Sequence, residues 1–127
     1  MRFFNSRPYA VRLILVLHAA LVFAQPKPEK RDNGATFETS VLTIFQANCV
    51  PCHGSAVKMR ELDLSTFAGV MKGGDDGPVV TPGKPQESRL YEMVQKGVMP
   101  KGGKPLPPGE IASIREWIEG GARSRSA

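Results

Sequence analysis

The sequence predicts an all-α fold, and three observations carry that reading. Apolar residues recur at helical spacing in three stretches: Phe37, Val41, Ile44 and Phe45; Leu90, Tyr91 and Val94; and Ile111, Ile114, Trp117 and Ile118. No run alternates apolar and polar residues for long enough to make a half-buried strand. The 127 residues include 13 glycines and 11 prolines, concentrated between the periodic stretches, which suits short helices joined by long loops.

The first helix begins at Phe37, where the apolar positions fall at i, i+4, i+7 and i+8 behind Thr36, a residue suited to the N-cap. It should stop near Asn48, because Pro51 lacks an N–H and its ring clashes with the carbonyl four residues earlier. A short helical piece begun by Ser65 carries Phe67 and Val70 and ends at Gly73-Gly74. Most of 54–85 otherwise reads as loop, with turn signatures at Asp75-Asp76-Gly77-Pro78 and Thr81-Pro82-Gly83. So long a loop in a compact domain needs a reason. Pro85 opens a second helix over Gln86 to Lys96, which Gly97 stops. From Val98 to Pro108 the prolines enforce an extended path. The last helix runs from Pro108 or Gly109 to about Glu119, before Gly120-Gly121. Since neither long stripe can be buried alone, Val41 and Phe45 should pack against Ile114, Trp117 or Ile118.

Residues 1–24 read as a secretory signal peptide. Arg2, Arg7 and Arg12 precede an apolar core from Leu13 to Phe23, and Val22-Phe23-Ala24 suits signal peptidase. Leu13 to Ala24 falls short of the ~20 residues a bilayer span needs, and no cysteine marks a lipid attachment point, so no stable membrane anchor is expected. The expected location is the periplasm or another exported compartment. Residues 25–35 make a polar, proline-bearing leader, residues 36–122 one domain expected to stand alone, and residues 123–127 a disordered tail. The whole chain carries a net charge of +5, but the signal removes three arginines and no acid, leaving a near-balanced domain. Without a clustered basic stripe, nucleic-acid binding is not expected.

Both cysteines fall in Cys49-Val50-Pro51-Cys52-His53. This C-x-x-C-H spacing is that of c-type haem attachment. Two thiols three positions apart share one face of a helical turn, about 5–6 Å apart, so each can add to a vinyl group of one porphyrin. His53 comes off the next position and can reach the iron. A thioredoxin-like redox pair would follow a strand in a βαβ unit, whereas an apolar helix precedes this one. A structural zinc needs a fourth ligand, and no further cysteine exists to supply it. A disulfide closed over two residues would be strained and tie down almost no chain. The Asp75-Asp76 run lacks the alternating ligands of a calcium loop and reads as a solvated turn. One small domain has a marginal core, to which a buried porphyrin would add apolar contact.

An iron held by His53 needs a sixth ligand or an open site. His18 leaves with the signal, so no second histidine remains and the candidates are methionines and lysines. Met59 follows His53 too closely to cross to the other face, Met71 sits in the short loop helix, and Met93 reads as core filler. Met99 lies in an extended Gly/Pro-bounded segment far enough on to pass round a haem edge. It is the preferred sixth ligand, with another Met or Lys, or an open site, as alternatives.

The order of helix, C-x-x-C-H, loop, helix, extended methionine and C-terminal helix resembles class I cytochromes c. More closely it is similar to the planctomycete-type cytochrome c domain, through NCVPCHG (48–54), LDLSTFAGVMKGGDDGP (62–78), PGKPQESRLYEMV (82–94), MPKGGKPLPPGEI (99–111) and IREWIEGGA (114–122). The resemblance implies a small class I cytochrome c fold of three to five helices wrapped around one covalent haem c. It further implies thioether attachment at Cys49 and Cys52, His53 as proximal and Met99 as distal iron ligand, and Pro78 as the carbonyl accepting the proximal imidazole N–H. Lys101 stands where that family often has a second proline. The implied function is single-electron transfer between redox partner proteins by a monomer, and not an enzyme activity. The alternative is a haem-based sensor or small haem enzyme with an open or labile distal site.

Overall fold

The structure, a computed structural model, describes residues 34–125. Every regular element among them is helical, as the patterning predicts, with two isolated β-bridges besides. A π-helical turn over Phe37–Val41 runs into α1, Leu42–Asn48; α2 is Phe67–Lys72, α3 Arg89–Gln95 and α4 Pro108–Glu119. Single 3₁₀ turns occupy Met59–Glu61 and Pro85–Glu87. No helix among the described residues is long and apolar enough to cross a membrane. The expected signal peptide and nearly all of the leader lie outside the described residues.

The core forms where the stripes predict it. Phe37, Val41 and Phe45 are buried against Ile114, Trp117 and Ile118 of α4, all at most 3% exposed. The Phe45 and Trp117 rings meet edge to face, with centroids 6.3 Å apart at 84°, and Phe37 lies 6.2 Å from the same indole. Leu90, Tyr91 and Val94 extend this core from α3. The chain entering α1 departs from the single α-helix expected from Phe37. Its first turn is set by contacts outside the helix: Thr36 and Thr39 form a reciprocal capping box, and the Phe37 N–H donates to the Arg123 carbonyl at 2.8 Å.

Three boundaries differ from the sequence reading, each because a polar group takes a partner that periodicity does not reveal. The helix expected over Gln86 to Lys96 breaks at Ser88, which is 1% exposed. Its hydroxyl accepts from the Thr81 N–H at 2.9 Å and donates to the Lys84 carbonyl at 2.9 Å, so it competes with the helix for backbone groups. The short helix is capped by Thr66, which accepts from the Gly69 N–H at 3.0 Å, while Ser65 is held by Asp63. At the other end, Arg123 to Arg125 are fixed, where a disordered tail is expected. The Trp117 indole N–H, deep in the core, donates to the Arg123 carbonyl at 2.9 Å; the Ser124 hydroxyl and Arg125 N–H donate to the Glu38 carboxylate at 2.6 and 2.8 Å.

Two expectations follow. Trp117→Ala should cost about 3–5 kcal/mol of stability, well above the effect of Ala substitution at half-buried Ile44, as read from denaturant midpoints. The Glu38 carboxyl is held down to about 2 from 4.5, chiefly by the Ser124 hydroxyl and next by the Arg125 N–H. A depressed carboxylate contributes fully above its unfolded pKa and loses that contribution as pH falls through the folded one. Hydrogen exchange at the Arg125 and Phe37 amides should therefore accelerate, relative to the intrinsic rate, between about pH 4.5 and 2. Glu38→Gln should abolish that acid step.

Candidate functional site

The C-x-x-C-H segment forms a single turn that hangs from the end of α1. The Cys49 N–H still donates to Phe45 at 2.8 Å, and the Cys49 carbonyl then accepts from both Cys52 (3.1 Å) and His53 (2.8 Å). Helix α1 stops at Asn48, as Pro51 requires. Asn48 closes the end by donating from Nδ2 to the Ile44 carbonyl at 2.9 Å and to Glu110 Oε2 of α4 at 3.3 Å. Gly54 completes the turn because a Cβ there would lie 2.6 Å from the Val50 carbonyl oxygen.

The turn forms one wall of a cavity of about 450 Å³. Cys49, Cys52, His53 and Met99 all line it, so four of the five residues singled out from sequence come together around one space. Phe45, Leu62, Leu64, Val79, Leu90 and Val94 give it apolar walls. Met99 is presented by the segment after α3. There Gly97 takes a positive φ of 66°, the Met93 carbonyl accepts from the Val98 and Met99 N–H groups at 3.0 and 3.2 Å, and the Met99–Pro100 bond is cis. Met59 and Met93 also line the cavity, although their sequence positions suggest other roles.

His53 is oriented by a backbone acceptor. Its Nδ1 lies 2.9 Å from the Met59 carbonyl oxygen. A neutral imidazole donating from Nδ1 keeps its lone pair on Nε2, the arrangement a metal-bound histidine needs. This corrects the role implied for Pro78. That residue is exposed and does not line the cavity, although Gly77 and Val79 on either side of it do. The loop after the motif folds back on itself, with Met59 donating to the Cys52 carbonyl at 3.0 Å, and this brings the Met59 carbonyl to the ring instead.

The two thiols differ in surroundings. Burial pushes the Cys49 thiol up to about 11, with the Glu110 carboxylate adding to the effect, so it stays protonated at neutral pH. Cys52 is exposed. Sequence reasoning missed a charged group on the cavity lining: Arg60, Asp75, Asp76 and Arg89. The Asp75-Asp76 run, read as a solvated turn, pairs with both arginines. Nothing local signals this, because the partners are separated by 13 to 16 positions.

The donor set fits a porphyrin iron better than a bare metal ion. Apolar walls suit a macrocycle, the thiols can anchor it, and imidazole nitrogen and thioether sulfur suit its iron. Among the described residues, no three His, Cys, Asp or Glu side chains gather to hold a metal by themselves. Such a pocket points to the c-type cytochromes. Comparison narrows this: residues 49–103 match the family model described as Planctomycete cytochrome C, in keeping with the resemblance carried by the motifs. No curated protein and no solved structure matches the chain.

Gly54→Ala should reduce the fraction of chains carrying covalent haem and destabilise the protein by about 1–3 kcal/mol, because the added methyl has backbone on its near side. Gly109→Ala, where a Cβ meets nothing within 4 Å, should change haem content little. Intact-mass spectrometry of protein from a haem-attaching host reads both.

Proposed function

We propose that the protein is an exported, monohaem c-type cytochrome that carries single electrons between redox partner proteins, with its iron held by His53 and Met99. The observation that carries this reading is the convergence of Cys49, Cys52, His53 and Met99 on one apolar cavity. Bound haem c would supply a reversible one-electron ferric/ferrous couple. The chain's residues account for the rest. Cys49 and Cys52 would hold the group by thioether bonds. His53 offers Nε2 because the Met59 carbonyl occupies Nδ1. The apolar walls limit water, and a thioether at the sixth position favours the reduced state more than a second imidazole would. Filling that position leaves no site for substrate, which supports a carrier over an enzyme. Met59, 55% exposed, lines the cavity and reaches solvent, and exposed Lys101 is a candidate docking charge for an acidic partner. Export rests on the signal-like first 24 residues.

The Cys49→Ala, Cys52→Ala double variant should lose covalent haem completely by mass spectrometry; covalent haem persisting there contradicts the assignment. Wild-type ferrous protein should resist carbon monoxide, and Met99→Ala should bind it readily, as read from the optical spectrum. Rapid and complete binding by the wild type would favour the sensor or small-enzyme alternative.

A further inference from the structure

The cavity's apolar walls suit a porphyrin ring but offer nothing to the ionised carboxylates of its propionate side chains. A carboxylate needs a cation or hydrogen-bond donors where it ends. The lining contains three cationic side chains: Lys101 on the Met99 segment, and Arg60 and Arg89, which share one acid. Arg60 Nη2 donates to Asp76 Oδ1 and Oδ2 at 3.0 and 2.9 Å, and Arg89 Nη1 donates to Asp76 Oδ2 at 2.9 Å.

Stability alone is a small return for this cluster. Its side chains are about half to two-thirds exposed, a setting in which an ion pair contributes modestly at most. The backbone, meanwhile, takes up strain to form it. Arg60 and Glu61 both adopt left-handed conformations, at φ 59° and 54°, which cost a residue bearing a side chain free energy. The corner is held by the Asp75 N–H donating to the Arg60 carbonyl at 2.9 Å. Gly74 makes that approach possible, since a Cβ there would sit 2.4 Å from the same oxygen. A strained turn stitched to a glycine hairpin thus sets Arg60 beside Arg89, which enters from α3.

We propose that Arg60 and Arg89 are the carboxylate-binding end of the cavity and take one haem propionate between them, with Asp76 as the brace that aligns the two guanidiniums. This rests on the haem-binding reading above. With Asp75, 3.8 Å from Arg60, the cluster is neutral overall, so what it offers a propionate is charged hydrogen-bond donors at contact rather than a net charge. Each guanidinium has five N–H donors, and Arg89 uses one on Asp76, leaving its Nε and Nη2 without a protein acceptor among the described residues. The brace stays ionised, because the Arg60 and then the Arg89 hydrogen bonds hold the Asp76 carboxyl below the usual carboxylate range.

The test is the reduction midpoint potential of the haem-loaded protein as a function of pH, which registers propionate ionisation. The other titratable or charged groups lining the cavity are iron-bound His53, Asp75, Lys101 and the two thiols consumed by attachment. The wild-type profile should be flat above about pH 5.5, since an opposite charge at contact lowers a carboxyl's pKa by about 1–3 units. In the Arg60→Gln, Arg89→Gln double variant the ionisation step should rise by that amount, while Lys101→Gln should move the potential without moving the step. Asp76→Asn should also raise the step, although loss of a negative charge alone would lower it. A double variant with the wild-type profile, or Lys101→Gln with the same shift, overturns the assignment; a lowered step in Asp76→Asn overturns the brace. Protein with no covalent haem overturns the haem reading itself, a distinct result visible by mass before any titration.

Discussion

The placement of the Cys49 to His53 turn depends on how Trp117 is buried. Its ring packs against Phe37 and Phe45, and its indole N–H is satisfied by the Arg123 carbonyl, which also accepts from Phe37. One side chain therefore joins the start of the described fold, its last helix and the segment beyond. An indole in the core needs that acceptor, because an unpaired buried N–H is costly. With α1 fixed against α4, the turn that follows Asn48 is held at one place, and Cys49, Cys52 and His53 face the cavity from it. The methionine segment is fixed separately, through α3 and the Met93 carbonyl.

Local and periodic features of the sequence transmit well into this structure. The α1 and α4 stripes mark the residues that bury each other, because a helix face repeating at 3.6 must find an apolar partner. The motif at 49–53 is legible because its chemistry is complete within five residues. Met99 is legible by elimination, its proline- and glycine-bounded segment being unlike the settings of the other methionines.

What the sequence conceals is long-range and polar. The break at Ser88 depends on a hydroxyl taking backbone groups at Thr81 and Lys84, and nothing in the 86–96 pattern marks that competition. The ordered segment from Arg123 to Arg125 depends on Glu38, 86 and 87 positions away from its partners. The acceptor for His53 is a main-chain carbonyl at Met59, not the one at Pro78, and carbonyls carry no sequence signature. The same blindness hides the Arg60, Asp76 and Arg89 cluster, whose members look like ordinary surface charges until the Gly73 to Gly77 hairpin is folded against Arg60.

Three methionines line the cavity, so the proposed ligation by His53 and Met99 turns on whether a sulfur reaches the iron and from which residue. Iron K-edge X-ray absorption of the haem-loaded protein addresses it directly, because sulfur and nitrogen scatterers differ in distance and amplitude. Ligation by His53 and Met99 predicts one sulfur at the iron in the wild type and none in Met99→Leu. A wild-type iron with nitrogen neighbours alone, or a sulfur that survives in Met99→Leu and so comes from Met59 or Met93, would contradict it.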